Sequence, residues 1–192
     1  MLFTEVYRRA LFAIRPDQPK TLTGGDELKA ASTATVTAAD GERADLPGLG
    51  SRYLLRSEDA GGRFALIEHT IPPHSLAAPT HVHEREDEYS LVLSGRMGAQ
   101  IGDEIVEAAP GELVLKPRGV PHAFWNPGGE ETRVLEIISP GGFSNFFAEV
   151  APLFAVDGEP DFAAVAATQA RYGLTMDFES IGSLTEQHGL GG

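Results

Sequence analysis

Between residues 60 and 140 the chain alternates apolar and polar positions with a period of two, in short runs cut by turn residues. In "RFALIEHTI", Phe64 and Leu66 fall on one face, Ala65 and Ile67 on the other. "EYSLVLSG", "RMGAQIG", "DEIVEAA", "GELVLKP", "HAFWN" and "TRVLEIIS" follow, with Gly, Pro, Asn or Asp between nearly every pair. Successive side chains on a strand point to opposite faces, so this pattern predicts many short β-strands. At such close spacing they form an all-β sandwich or barrel.

After residue 140 the period changes. "SNFFAEVAPLF" places Phe146, Phe147 and Val150 at helical spacing behind Ser144 as N-cap. "DFAAVAATQARYG" predicts a helix capped by Asp161 and stopped by Gly173. "SLTEQHGL" predicts one more short helical stretch from Ser183. Residues 1–50 are turn-rich and polar around a short β-type run, "STATVTA", and predict a partly irregular arm packed on the barrel or on a partner subunit. The expected organisation is thus an arm over 1–50, a β-barrel over 51–140 and a helical extension over 141–192.

Composition narrows the partners. A chain of 192 residues with 42% apolar residues holds one substantial core. Its formal net charge of −13 opposes binding to nucleic acid or to an anionic membrane surface, both of which need clustered Lys and Arg. With no cysteine, disulfides and thiolate metal sites are excluded. No apolar stretch reaches the roughly 20 residues of a membrane span, and the N-terminus lacks the order of a signal peptide, so a cytoplasmic location is expected.

The candidate chemistry lies in "THVHEREDEYSLVLSG". Residues two apart on a strand share a face, so His81 and His83 stand side by side. A solvent-facing turn of Glu84, Arg85, Glu86 and Asp87 then brings Glu88 back inward with Ser90 and Val92, leaving Tyr89, Leu91 and Leu93 outside. A further imidazole, His122, follows the constrained turn Pro117–Pro121 and shares a face with Phe124 and Asn126. His69 and His74 are expected at the surface or a sheet edge, and His188 in solvent.

These stretches resemble the two motifs of the cupin superfamily: His81, His83, Glu88 and Gly95 in the first, Gly111, Pro117, Gly119, His122 and Asn126 in the second, fifteen residues apart. Ser75 stands where the first motif begins with glycine. The resemblance implies a jelly-roll barrel of two antiparallel sheets with a metal in its mouth, held by His81, His83, Glu88 and His122. Three imidazoles and a carboxylate suit Fe, Mn, Ni, Co or Zn and leave coordination positions open. The glycine pair and Phe-rich helix of "SPGGFSNFFAEVAPLF" further resemble single-domain quercetin 2,3-dioxygenase-like cupins.

That second resemblance implies a metal-dependent dioxygenase of a flavonol or other enol-bearing aromatic small molecule. Glu88 would be ligand and base, if apolar surroundings raise its pKa, and Phe124, Phe143 and Phe147 would wall the substrate pocket. Two alternatives stand beside it: a cupin that binds a small molecule or metal without chemistry, and an isomerase or decarboxylase of a small acid or sugar. An aromatic cavity would favour the oxygenase; one lined by Arg and Lys would favour the isomerase, for which Arg96 and Lys116 are the candidate cations. Pairing through edge strands or the arm makes a homodimer the expected assembly.

Overall fold

The computed structural model describes residues 41–154 and 161–191; the "STATVTA" run and most of the arm lie outside them. The alternating runs become β1 (Gly50–Leu55), β2 (Ala65–Ile71), β3 (Ser75–His83), β4 (Asp87–Ser94), β5 (Met97–Ile101), β6 (Glu104–Ala108), β7 (Leu113–Lys116), β8 (His122–Asn126) and β9 (Thr132–Ser139). The extension carries α1 (Asn145–Phe154), α2 (Phe162–Tyr172), β10 (Leu174–Asp177) and α3 (Ser180–His188).

Two five-stranded sheets form, in the orders β1-β2-β9-β4-β7 and β10-β3-β8-β5-β6. All pairings are antiparallel, and four of them nest: β5 with β6, β4 with β7, β3 with β8 and β2 with β9. An eight-strand hairpin folded over in this way is a jelly roll. The core between the sheets follows the alternation. Ile67 and Ile71 of β2, Val92 of β4, and Val134 and Ile138 of β9 face Met97, Ala99 and Phe124 of the other sheet, all buried. Each large side chain buried there contributes roughly 1.5–3 kcal/mol.

The helical extension differs from expectation in three places. The chain passes through a single-turn 3-10 helix, Gly141–Ser144, before α1 begins at Asn145, so Ser144 is not an N-cap; its hydroxyl is buried without a partner while its carbonyl accepts from Tyr53 Oη. The second helix starts and stops as predicted, with the Asp161 carboxylate accepting from Ala164 N–H and Gly173 left-handed at its end. Then Leu174–Asp177 forms a strand rather than helix, pairing with β3 so that Leu174 opposes His83 and Met176 opposes His81. Four residues between two helices are too short for a period-two signal to stand out. Finally α3 begins three residues before Ser183, where the Ser180 hydroxyl accepts from the Thr80 backbone N–H. Among the described residues, no helix is long and apolar enough to cross a membrane.

Candidate metal centre and its cavity

The four candidate ligands meet because two sheets face each other. His81 and His83 lie at the end of β3; His122 opens β8 directly across from His81 in register. Glu88 comes from β4 in the opposite sheet, delivered by the break at residues 84–86. The second motif is fastened to the first: Gly119, at φ +74, donates its N–H to the His83 carbonyl at 2.8 Å, and the Arg118 side chain grips Asp87 in a fork at 3.0 and 2.6 Å. A side chain at that left-handed position would be strained, which accounts for the motif glycine.

One ligand atom from each of His81, His83, Glu88 and His122 lies within 4.8 Å of the others, and all four residues are buried. His81 Nδ1 lies 2.8 Å from the Pro79 carbonyl and His122 Nδ1 3.0 Å from the Val120 carbonyl. Only an N–H can face a carbonyl, so both rings carry a proton on Nδ1, which leaves Nε2 as the atom available to a metal. Among the described residues His122 Nε2 is buried with no hydrogen-bond partner, and Glu88 Oε2 lies 3.6 Å from it. Burial, then the neighbouring His122 and His83, keep His81 well below its ordinary pKa, and burial brings His83 down to about 4. Three clustered imidazoles, one carboxylate and an orphaned buried nitrogen fit a divalent transition ion.

Glu88 does not behave as expected. Burial alone would raise its pKa, but Lys116, then His83 and His122, outweigh burial and hold the carboxyl well below the usual range. Lys116 Nζ lies 2.9 Å from Glu88 Oε2 and 2.9 Å from Glu136 Oε2, and all three side chains are almost wholly buried. The Glu88 carboxylate is therefore suited to ligation and poorly suited to act as a base. Burial lowers Lys116 in principle, yet Glu136 and Glu88 keep it above its ordinary value and charged. Glu136 is pushed up by burial in spite of Lys116, so it is the carboxyl of the pair that more readily holds a proton.

Other expectations change in the same region. His69 is neither at the surface nor at an edge: β1 pairs outside β2, and His69 takes an inward slot, 1% exposed, with Nδ1 3.0 Å from Ser51 Oγ. Glu86, expected in a solvated turn, is buried with Oε2 3.8 Å from His83 Nδ1, beyond hydrogen-bond reach. The extension covers that turn: Glu84 N–H donates to the Gly173 carbonyl and Arg85 to the Arg171 carbonyl. His188 stacks on Trp125 at 3.9 Å between ring centres instead of lying in solvent. His74 is exposed, as expected. Arg96 is exposed and paired with Glu107, so it does not serve the site.

The cluster opens onto a cavity of about 270 Å³. Phe124 of the barrel and Phe143, Phe146, Phe147 and Val150 of the extension wall it, and Leu49 closes part of the remainder. Phe143 meets the His83 ring edge-on at 4.2 Å. The described end of the arm thus belongs to the wall. His69, Lys116 and Glu136 also line the cavity, and sequence reasoning had no role for His69 or Glu136. A signal for them exists: in "ALIEHTI", "LVLK" and "TRVLEIIS" each occupies an inward slot of an otherwise apolar alternation.

His69 yields a pH prediction. Burial, with Lys116 adding to it, lowers its pKa from 6.5 to about 4. The unfolded chain then binds more protons than the folded chain between those values. Stability is complete above pH 6.5 and is lost as pH falls towards 4, by on the order of 3 kcal/mol from this group. Urea unfolding of metal-free protein across this range should show a shallower loss in His69→Gln than in the wild type; identical slopes would remove His69 as a cause.

Comparison with known proteins agrees with the geometry. The cupin domain family profile matches residues 67–138. An uncharacterized protein of Streptomyces coelicolor is 32% identical over 101 residues, covering 53% of this chain and 89% of that protein. Among solved structures, the polyketide cyclase RemF from Streptomyces resistomycificus is 30% identical, covers 57% of this chain and 80% of its own, and superposes with a TM-score of 0.50. KdgF from a Halomonas species, at 16% identity, covers 57% and 94% with a TM-score of 0.50. A predicted oxalate decarboxylase from Thermotoga maritima, at 22% identity, covers 55% and 98% with the same score. With both motifs folded into one buried donor set at the mouth of a jelly roll, this chain belongs to the cupin superfamily.

Proposed function

We propose that this cupin is a metal-dependent enzyme acting on a planar, largely apolar small molecule that bears an enol or phenol hydroxyl, and that oxygenation with O2 is its reaction. The observation that carries this reading is a buried three-histidine, one-glutamate set opening onto a phenylalanine-walled cavity whose lining cation, Lys116, is already neutralised by Glu88 and Glu136. A phosphosugar or small anionic acid would need free Arg or Lys on the wall, and Arg96 lies elsewhere, bound to Glu107. An aromatic substrate needs flat apolar walls, which Phe124, Phe143 and Phe147 offer.

A divalent ion held by His81, His83, Glu88 and His122 would supply Lewis acidity that favours the ionised form of a substrate hydroxyl. The chain itself excludes water with its phenylalanine walls, orients the imidazoles through the Pro79 and Val120 carbonyls, and keeps Glu88 ionised through Lys116.

The test is O2 uptake by protein loaded separately with Fe, Mn, Co or Ni, over a panel of flavonols and related enols. Substrate-dependent O2 consumption is expected with at least one metal, and its absence across the panel defeats the oxygenase reading. A second reading, cyclisation of a polyketide-like substrate, is favoured by the 30% identity to RemF, whose name describes a polyketide cyclase. Substrate loss without O2 uptake would select it.

A further inference from the structure

Glu136 lines the same cavity and has no part in the metal set. Its Oε2 accepts from Ser90 Oγ at 2.7 Å and from Lys116 Nζ at 2.9 Å. Its Oε1 is buried without a partner among the described residues. The carboxyl cannot turn to satisfy Oε1 without giving up one of those two bonds. A buried oxygen left unpaired costs about 1–3 kcal/mol, and such groups persist where something else supplies the missing partner. Glu136 lines the cavity beside His69 and Lys116, and neither bonds to Oε1.

Lys116 also fixes where this carboxyl lies. Its Nζ touches Glu88 Oε2 and Glu136 Oε2 at the same 2.9 Å, so the Glu136 carboxyl is the immediate neighbour of the candidate ligand carboxyl. Both carboxyls line the same cavity, so one ligand could meet the cluster and Glu136 together.

We infer that Glu136 Oε1 is a second ligand-contacting position, and that the cavity takes a planar apolar molecule carrying two oxygen substituents side by side, one directed to the metal cluster and the other a hydroxyl that donates to Glu136. This deepens the substrate class proposed above and rests on that reading of the cavity.

Naphthols are suitable probes, since their fluorescence reports binding without turnover. Metal-loaded and metal-free protein are titrated with 2,3-dihydroxynaphthalene and with 2-naphthol, which lacks the second hydroxyl. The diol should bind about tenfold tighter, the worth of one additional hydrogen bond to a carboxylate. In Glu136→Met that advantage should shrink to less than about twofold, with 2-naphthol affinity and metal content retained. An undiminished advantage in the variant means that the metal takes both oxygens, and overturns the proposal. Should the variant not fold, metal-free wild type decides alone, because equal binding of the two naphthols there overturns the proposal as well. If neither naphthol binds wild type, the aromatic-cavity reading falls too; if both bind equally, only the role of Glu136 is lost.

Discussion

Replacing Lys116 with methionine should destabilise the metal-free protein by about 3–5 kcal/mol, the loss typical when one member of a buried ion pair is removed. Methionine fills much of the same volume, so the loss is electrostatic rather than a cavity effect. The Lys116 side chain is 1% exposed, and its Nζ bridges Glu88 and Glu136 at 2.9 Å each. Without it two carboxyls share a buried space with no cation, and at least one must take up a proton. The variant should also show a second, opposite effect. Lys116 and a divalent ion both draw on the Glu88 carboxylate, so removing the lysine charge should tighten metal binding. Bound metal at 100 times its dissociation constant adds about 2.7 kcal/mol to stability, and should recover a large part of the loss. Urea unfolding with and without metal reads both effects. A variant within about 1 kcal/mol of wild type in the metal-free state would show that the pair contributes nothing net, a known outcome for some buried ion pairs.

The same lysine shows which parts of this protein are legible in its sequence. The barrel strands could be read because alternation is local: "DEYSLVLS" places Glu88, Ser90 and Val92 inward, and the structure buries those three. The donor set could be read because two motifs at fixed spacing name His81, His83, Glu88 and His122, and the structure brings them together. Lys116 was visible only as a cation of unknown position. Its placement depends on β7 pairing with β4 so that Lys116 opposes Glu88, a register fixed by contacts between segments far apart in sequence. Glu136 reaches the same point through the pairing of β9 with β4, where it opposes Ser90. His69 looked like an edge residue until β1 covered the far side of β2. Buried Glu86 and stacked His188 both depend on the extension folding back on the barrel, which neither local period nor motif spacing encodes.

The charges of the site fit the ligand proposed above. With a divalent ion held by the set, three imidazoles and the Glu88 carboxylate would sum to one positive charge, while Lys116 stays paired with Glu136. The metal-loaded centre would thus be electropositive inside apolar walls, where attraction between charges is stronger than in water. An ionised hydroxyl on a flat ring meets both conditions, with its charge at the cluster and its rings against Phe124, Phe143 and Phe147. A neutral hydrocarbon would leave the charge unbalanced, and a highly charged sugar phosphate would leave its second charge against phenylalanine.

His122→Ala should lower metal affinity at least about 100-fold, since losing even an outer partner of a metal ligand costs 10–100-fold. The side chain stands alone on β8, so the variant leaves both β3 histidines and Glu88 in place. Among the described residues its Nε2 makes no hydrogen bond, and the bond forfeited is that from Nδ1 to the Val120 carbonyl. Metal-free stability should therefore fall only modestly, by about 1–3 kcal/mol for a truncated buried side chain. The decisive comparison is with His69→Ala, which removes an imidazole equally buried and lining the same cavity but outside the four-residue set. Competition with a chromophoric chelator should find the His69 variant within a few-fold of wild type and the His122 variant unable to compete. Any O2 uptake should disappear with His122 and not with His69. If the two variants lose metal to the same degree, affinity belongs to the general polarity of the cavity, and the convergence of three imidazoles and one carboxylate is not what holds the ion.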